Sequence, residues 1–211
     1  MTLARSMRGT WKPVTMVLLV LCATNVAADE LEYAVKGVED PLKANVLSHL
    51  EHIQIGRDAR LADRDYAEVI ADAEKRARTA LRPFGYYRPD VRGQVQRRSE
   101  DILRLTLSIN PGPPMIVTAV DVKVVGAGAN REELRKWRDS WPLRPGSVLN
   151  QPIWEERKVH AIESSEALGY RGVEFSEHAI ELDLDKHSAV LRLTLDTGPQ
   201  YMFGDIDFGE H

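Results

Sequence analysis

Phe84-Gly85-Tyr86 closes one apolar helical stretch of this chain, and Leu168-Gly169-Tyr170 closes another 84 positions later. Each is followed by a strand-like run that ends on Gly-Pro. The first is Leu105, Leu107 and Ile109 before Gly112-Pro113; the second, 86 positions on, is Leu191, Leu193 and Leu195 before Gly198-Pro199. Two offsets that nearly agree mark two copies of one supersecondary unit with almost no linker between them. A tandem of small modules points to a binding platform before it points to an enzyme.

Reading upstream from Gly85, Leu31, Tyr33 and Val35 alternate as on a half-buried strand. Gly37 and Asp40-Pro41 then predict a turn and a helix start, with Asp as cap and Pro at the first helical position. Leu42, Val46, Leu47, Leu50 and Ile53 recur at helical spacing up to Gly56. A second helix is predicted from Asp63, with Tyr66, Val69, Ile70, Ala73, Ala77, Ala80 and Leu81 on one stripe. Pro83 and Gly85 end it, and two strands follow, about Tyr86–Arg97 and Ile102–Ile109. In the latter Leu103, Leu105, Leu107 and Ile109 alternate with polar residues, as in a sheet with one face covered.

The second copy keeps this order. Ile116, Val120, Val122 and Val124 predict a strand, Gly126-Ala127-Gly128 a turn, and Asn130-Arg131-Glu132-Glu133 a capping box into a short helix bearing Leu134, Trp137 and Trp141. A longer helix opens near Asn150 with the stripe Trp154, Ala161, Ser165 and Leu168, crossed by Arg157 and Lys158, whose stems are expected over the core edge. In the next strand, Gly172–Leu184, Val173 and Phe175 are out of phase with Ile180, Leu182 and Leu184. A β-bulge near Ser176–Ala179 reconciles them. Ala189–Leu195 is the last strand of the copy. Tyr201–Phe208 then aligns with Met115–Val122, the opening of a unit.

The expected fold is therefore α+β: β-α-α-β-β units, each a three-stranded sheet covered on one face by two helices, plus the first strand of a third. The expected division is 1–28 leader, 29–113 first unit, 114–200 second unit and 201–211 the opening of a third. Two strands of each sheet are edges with unpaired N–H and C=O groups.

The leader reads as a secretory signal: Arg5, Arg8 and Lys12, an apolar run from Val14 to Ala23, then Val26-Ala27-Ala28 before Asp29. That run is shorter than the roughly 20 residues a spanning helix needs. Cys22, the only cysteine, lies within it behind bulky Leu21, a poor lipoprotein site. An exported chain without disulfides suits a bacterial periplasm, with stability carried by its cores. The formal net charge is −4, and losing three leader cations makes the remainder more acidic. This argues against nucleic acid as a partner and offers no polybasic patch to lipid.

The order of these marks resembles the POTRA domains of outer-membrane assembly factors. More narrowly, Ala80–Tyr87, Pro111-Gly112-Pro113-Pro114, Leu143–Leu149 and the Trp154–Tyr170 helix are similar to the amino-terminal region of the translocation and assembly module family, TamA. Gly85, Tyr86, Gly112, Pro113, Gly169, Tyr170, Gly198 and Pro199 are the unit-defining positions. The resemblance implies a periplasmic arm in front of a membrane β-barrel, at the outer membrane. It implies unfolded outer-membrane proteins or autotransporters as clients and an inner-membrane-anchored partner subunit. No barrel strands occur in this sequence, so membrane contact is expected only through a barrel it lacks. A POTRA protein of cell division or two-partner secretion is the alternative, and a small periplasmic hydrolase a more distant one.

No catalytic, metal or cofactor site is expected. His49 and His52 share a helical face without further ligands, and Asp183, Asp185 and His187 read as a polar turn. Ser164-Ser165 lack a nucleophile elbow, and Gly126-Ala127-Gly128 lacks a third glycine. Trp137, Trp141 and Trp154 read as core. Function is expected by strand addition, main chain to main chain. The candidate edges are Tyr87–Val95, with Tyr87, Arg88, Val91, Gly93 and Val95, and Gly172–Leu184, with Val173, Phe175, Ile180 and Leu182. The alternative is an ordinary protected edge, with Arg88, Arg92, Arg97, Glu174 and Glu177 along these strands placed to prevent aggregation instead.

Overall fold

A computed structural model describes residues 30–51, 53, 63–99 and 102–202. The stretch expected to be a leader, Gly56 and most of Tyr201–Phe208 lie outside the described residues. Tyr201 and Met202, which are described, are not in a strand.

The first unit runs β1 (Glu30–Lys36), α1 (Leu42–Leu50), α2 (Asp63–Leu81), β2 (Asp90–Arg97) and β3 (Ile102–Asn110). The second runs β4 (Ile116–Val125), α3 (Glu132–Asp139), α4 (Gln151–Ala167), β5 (Glu174–Asp183) and β6 (Ser188–Asp196). The sheet orders are β1-β3-β2 and β4-β6-β5. In both, the last strand is central, parallel to the first and antiparallel to the other. The fold is thus the expected α+β pair of three-stranded sheets, each with two helices.

The alternation in the central strands decides which face is covered. Leu103, Leu105, Leu107 and Ile109 of β3 are buried, as are Ala189, Leu191, Leu193 and Leu195 of β6. Each fully buried leucine contributes roughly 1.5–3 kcal/mol of transfer free energy. Against β3 lie Val46 and Leu50 of α1 and Ala73, Ala77, Ala80 and Leu81 of α2. Small side chains on α2 let the helix lie close to the sheet. Against β6 lie Leu134 and Trp137 of α3, Trp141, and Trp154 and Ala161 of α4. The three tryptophans are core, stacked edge to face with centroids 5.4 and 5.5 Å apart.

Several local expectations change. Pro41, not Asp40, occupies the N-cap of α1, and Asp40 reaches past it to accept from the Ala44 amide at 3.2 Å. The capping box at Asn130 does not form: Arg131 is the N-cap of α3, and no side chain caps it. The turn takes over, because the Arg131 amide donates to Gly128. Asn150 does cap α4, accepting from the Ile153 amide at 3.2 Å. The bulge in β5 falls where expected, the register shifting between Phe175 and Glu177. A second, between Val117 and Ala119, was not foreseen. It places Val117, rather than Ile116, in the core ahead of Val124.

Candidate functional site

Two features stand out as places where function can act: the outer strands β2 and β5, and the joint between the units.

The joint begins at the Gly-Tyr mark. The Gly85 amide returns to Arg82 and the Tyr86 amide to Leu81, closing α2; the Gly169 amide returns to Glu166 and the Tyr170 amide to Ser165, closing α4. Both glycines are left-handed, φ +88° and +89°, the conformation this closure requires. At Gly85 an added Cβ would also sit 2.8 Å from the Leu149 carbonyl oxygen. The close approach lets the second unit seat on the end of the first. The Met115 amide donates to Gly85 at 2.8 Å, and the Leu149 amide to Met115 at 2.9 Å.

Tyr87 and Arg88 belong to this joint and not to an edge. β2 begins only at Asp90, because Pro89 and the crossing between the units occupy the preceding residues. The Tyr87 ring packs against the core of the second unit, and its hydroxyl accepts from Gln151 Nε2 at 3.0 Å. Burial pushes its pKa above the ordinary value, with Arg82 and the Gln151 bond pulling the other way. Arg88 pairs with Asp185 across the units at 2.7 Å, both side chains well exposed. No sequence signal announces these contacts, which join residues dozens of positions apart.

The hairpin Asp183–His187 is the polar turn expected. Asp183 Oδ1 accepts from the amides of Asp185 and Lys186. The Lys186 amide, with its ammonium, holds the Asp183 carboxyl below the usual carboxylate range.

The two outer strands differ. On β2, Val91 is buried, Gly93 and Val95 are half-buried, and Arg92 and Arg97 are exposed. The Gly93 amide donates to Glu74 Oε1 at 2.9 Å, and the Val91 carbonyl accepts from Arg78 Nη2 at 2.9 Å. Both partners come from α2. On β5, Phe175 and Ile180 are half-buried, while Leu182 is 37% exposed and, past the strand, Leu184 39%. Val173 precedes the strand. Among the described residues no side chain is bonded to the backbone of β5. The start of β4 is covered by its own chain: Gly146 and Ser147 bond to Val117 at 2.8 Å each.

Arg157 and Lys158 do more than lay stems over the core. Arg157 lies 5.9 Å over both Trp137 and Trp141 and donates to the Trp137 carbonyl at 2.7 Å. Lys158 lies 5.6 Å over Phe175. His49 Nδ1 is engaged with the Asn45 carbonyl, and Ser165 Oγ donates to Ala161. Among the described residues no His, Cys, Asp and Glu gather as a metal site, and no helix is long and apolar enough to cross a membrane.

Residues 32–111 match the family described as POTRA domain, TamA domain 1; the first unit is a POTRA domain. Among solved structures, POTRA3-5 of Haemophilus influenzae BamA is similar at 13% identity and a TM-score of 0.43, covering 82% of this chain and 67% of that one. POTRA1-2 of the periplasmic domain of Omp85 from Anabaena is 15% identical, TM-score 0.35, covering 82% and 96%. CdiB from Escherichia coli is 16% identical, TM-score 0.30, covering 90% of this chain and 31% of that one. At these scores the three structural likenesses carry no further argument.

Proposed function

We propose that this chain is a periplasmic POTRA scaffold of an outer-membrane protein or autotransporter assembly factor, acting by binding and not by catalysis. The units are taken as 29–113 and 114–200, behind a leader at 1–28, with 201–211 opening a third. The observation that carries this reading is the match of residues 32–111 to the first POTRA domain of TamA. The repeat of its topology in the second unit supports it. The mechanism is strand addition. An outer strand offers a row of backbone donors and acceptors to any extended segment, largely without regard to its side chains. That indifference suits unfolded barrel clients of many sequences. An inner-membrane-anchored partner subunit, implied by the resemblance to TamA, belongs to the same reading.

The test is a titration of the ¹⁵N-labelled chain with a synthetic peptide copied from an outer-membrane barrel strand. Amide shifts confined to Asp90–Arg97 or Glu174–Asp183 are expected. Shifts only elsewhere, or none, would sink the mechanism.

A further inference from the structure

The contacts on β2 form a closed ring. Gly93 N–H donates to Glu74 Oε1, Glu74 Oε2 accepts from Arg78 Nη2 at 2.9 Å, and the same Nη2 donates to the Val91 carbonyl. Val91 and Gly93 have the same parity on β2, the row that an antiparallel ladder turns away from its partner β3. An acceptor for the N–H of one residue and a donor to the C=O two positions before it are what an added strand supplies. One residue of a parallel strand offers both; an antiparallel strand offers them from two residues. The Glu74–Arg78 pair therefore imitates a piece of strand, at the place where a strand would dock.

The sequence makes this clasp possible in one unit only. Glu74 and Arg78 are spaced i,i+4 and share a helix face. Gly93 brings α2 close, since an added Cβ would lie 2.8 Å from Ile70 Cγ2 and 3.3 Å from Leu107 Cδ2. With Gly85 aligned on Gly169, the buried Ala77 and Leu81 fall on the buried Ala161 and Ser165. Glu74 and Arg78 then fall on Lys158 and Ile162. Lys158 is turned to Phe175 and Glu155, and an isoleucine can donate nothing. Among the described residues no side chain clasps the backbone of β5; its bulge and acidic side chains work against flat edge-to-edge pairing of two copies and leave its backbone groups free of such a clasp.

We propose that the two edges are inequivalent: the Glu74–Arg78 clasp holds β2 shut, so that an extended segment adds to β5 while the clasp is closed and to β2 only when it opens. This rests on the strand-addition reading above. The pair is partly exposed, 40% for Arg78 and 23% for Glu74. Ion pairs so placed are held weakly and are screened by salt, so an incoming backbone can displace this one.

Two measurements separate the clasp from strand addition itself. The first needs no ligand: amide exchange of Gly93 in the wild type, Glu74→Ala and the near-isosteric Glu74→Gln. At least a tenfold loss of Gly93 protection is expected in Glu74→Ala, with a smaller loss in Glu74→Gln. The β3 amides, unchanged, report that the fold is intact. Equal Gly93 exchange in all three proteins would overturn the clasp whatever the fate of strand addition. The second is a titration with a synthetic peptide of alternating valine and threonine, about nine residues long, a strand's length. The wild type is expected to shift only at β5, and Glu74→Gln and Arg78→Ala at Val91–Val95 as well. Equal shifts on β2 in wild type and variants would overturn the clasp but leave strand addition standing. No shift on either strand in any protein would remove both.

Discussion

The amide of Met115 donates to the carbonyl of Gly85 at 2.8 Å, and the amide of Tyr201 donates to the carbonyl of Gly169 at the same distance. The first bond begins the second unit on the closed end of α2. The second repeats it at the closed end of α4, where an added Cβ on Gly169 would lie 2.7 Å from the Tyr201 oxygen. After its last strand each unit returns the chain to the closed end of its second helix by one geometry, so Tyr201 is seated as Met115 is.

Substituting Gly85 by Ala should loosen that seat. The position combines φ +88° with a Cβ that meets the Leu149 oxygen at 2.8 Å. Left-handed backbone alone costs a non-glycine residue about 1 kcal/mol, and strained sites about 1–3. Gly146 is the control, with φ +92° and nothing within 4 Å of its Cβ. Urea unfolding should show Gly85→Ala losing about 1–2 kcal/mol more than Gly146→Ala. Equal losses would mean that the contact with Leu149 carries no strain.

A core substitution in the first unit should leave the second standing. Leu107 is fully buried, and Leu107→Ala should cost about 2–5 kcal/mol. The joint is a backbone bond, the approach of Gly85 to Leu149, the Tyr87 ring on the second core with its Gln151 bond, and one exposed ion pair, which is little beside the two cores themselves. Apart from Trp11, every tryptophan is in the second unit. Fluorescence should therefore keep its midpoint to within about 0.5 kcal/mol, the scatter of independent sites, while circular dichroism gains an earlier transition. A fluorescence midpoint that moves with the mutation would show one cooperative body.

What was legible in the sequence is what short-range pattern fixes. The alternation of Leu103 to Ile109 and of Ala189 to Leu195 marks the covered faces, and the phase slip after Phe175 marks the bulge. Composition could not show that Tyr87 and Arg88 leave the strand to build the joint, because their partners Gln151 and Asp185 are remote in the chain. The capping box at Asn130 failed for a related reason: a pattern of side chains competes with the backbone bonds of the turn before it, and there the backbone won. The Glu74–Arg78 pair drew no notice in the sequence, because an i,i+4 spacing does not tell that both side chains reach past the helix to a strand.

The joint should weaken in alkali. Burial raises the Tyr87 pKa above its unfolded value of about 10. A group whose folded pKa is raised contributes stability that is whole below the unfolded value and lost as pH rises through the folded one. Tyr87→Phe keeps the ring and removes the titration. Tyr33, also raised by burial, is present in both proteins and cancels in the comparison. Between about pH 9 and 11, bracketing that value, the wild type should lose more of its urea midpoint than Tyr87→Phe. Parallel losses would show that Tyr87 does not titrate differently in the two states.

Deleting Ser176 should be tolerated by the fold and punished in solution. The register pairs Phe175 with Leu195 and Glu177 with Thr194, so Ser176 is the extra residue. Its removal leaves every other pairing of β5 in place, and Phe175 and Ile180 stay on the core side. The side chain gives up only a 3.4 Å bond to the Thr194 carbonyl. A loss within about 1 kcal/mol is expected, the range of a modest exposed hydrogen bond. What the bulge does supply is a twist in an otherwise regular edge, and a flat edge is a template for a second copy. Sedimentation velocity should show the deletion variant self-associating at concentrations where the wild type does not. A deletion variant that stays folded and no more associated than the wild type would leave the bulge without a protective role, and the acidic residues Glu174, Glu177 and Glu181 as the guard of that edge.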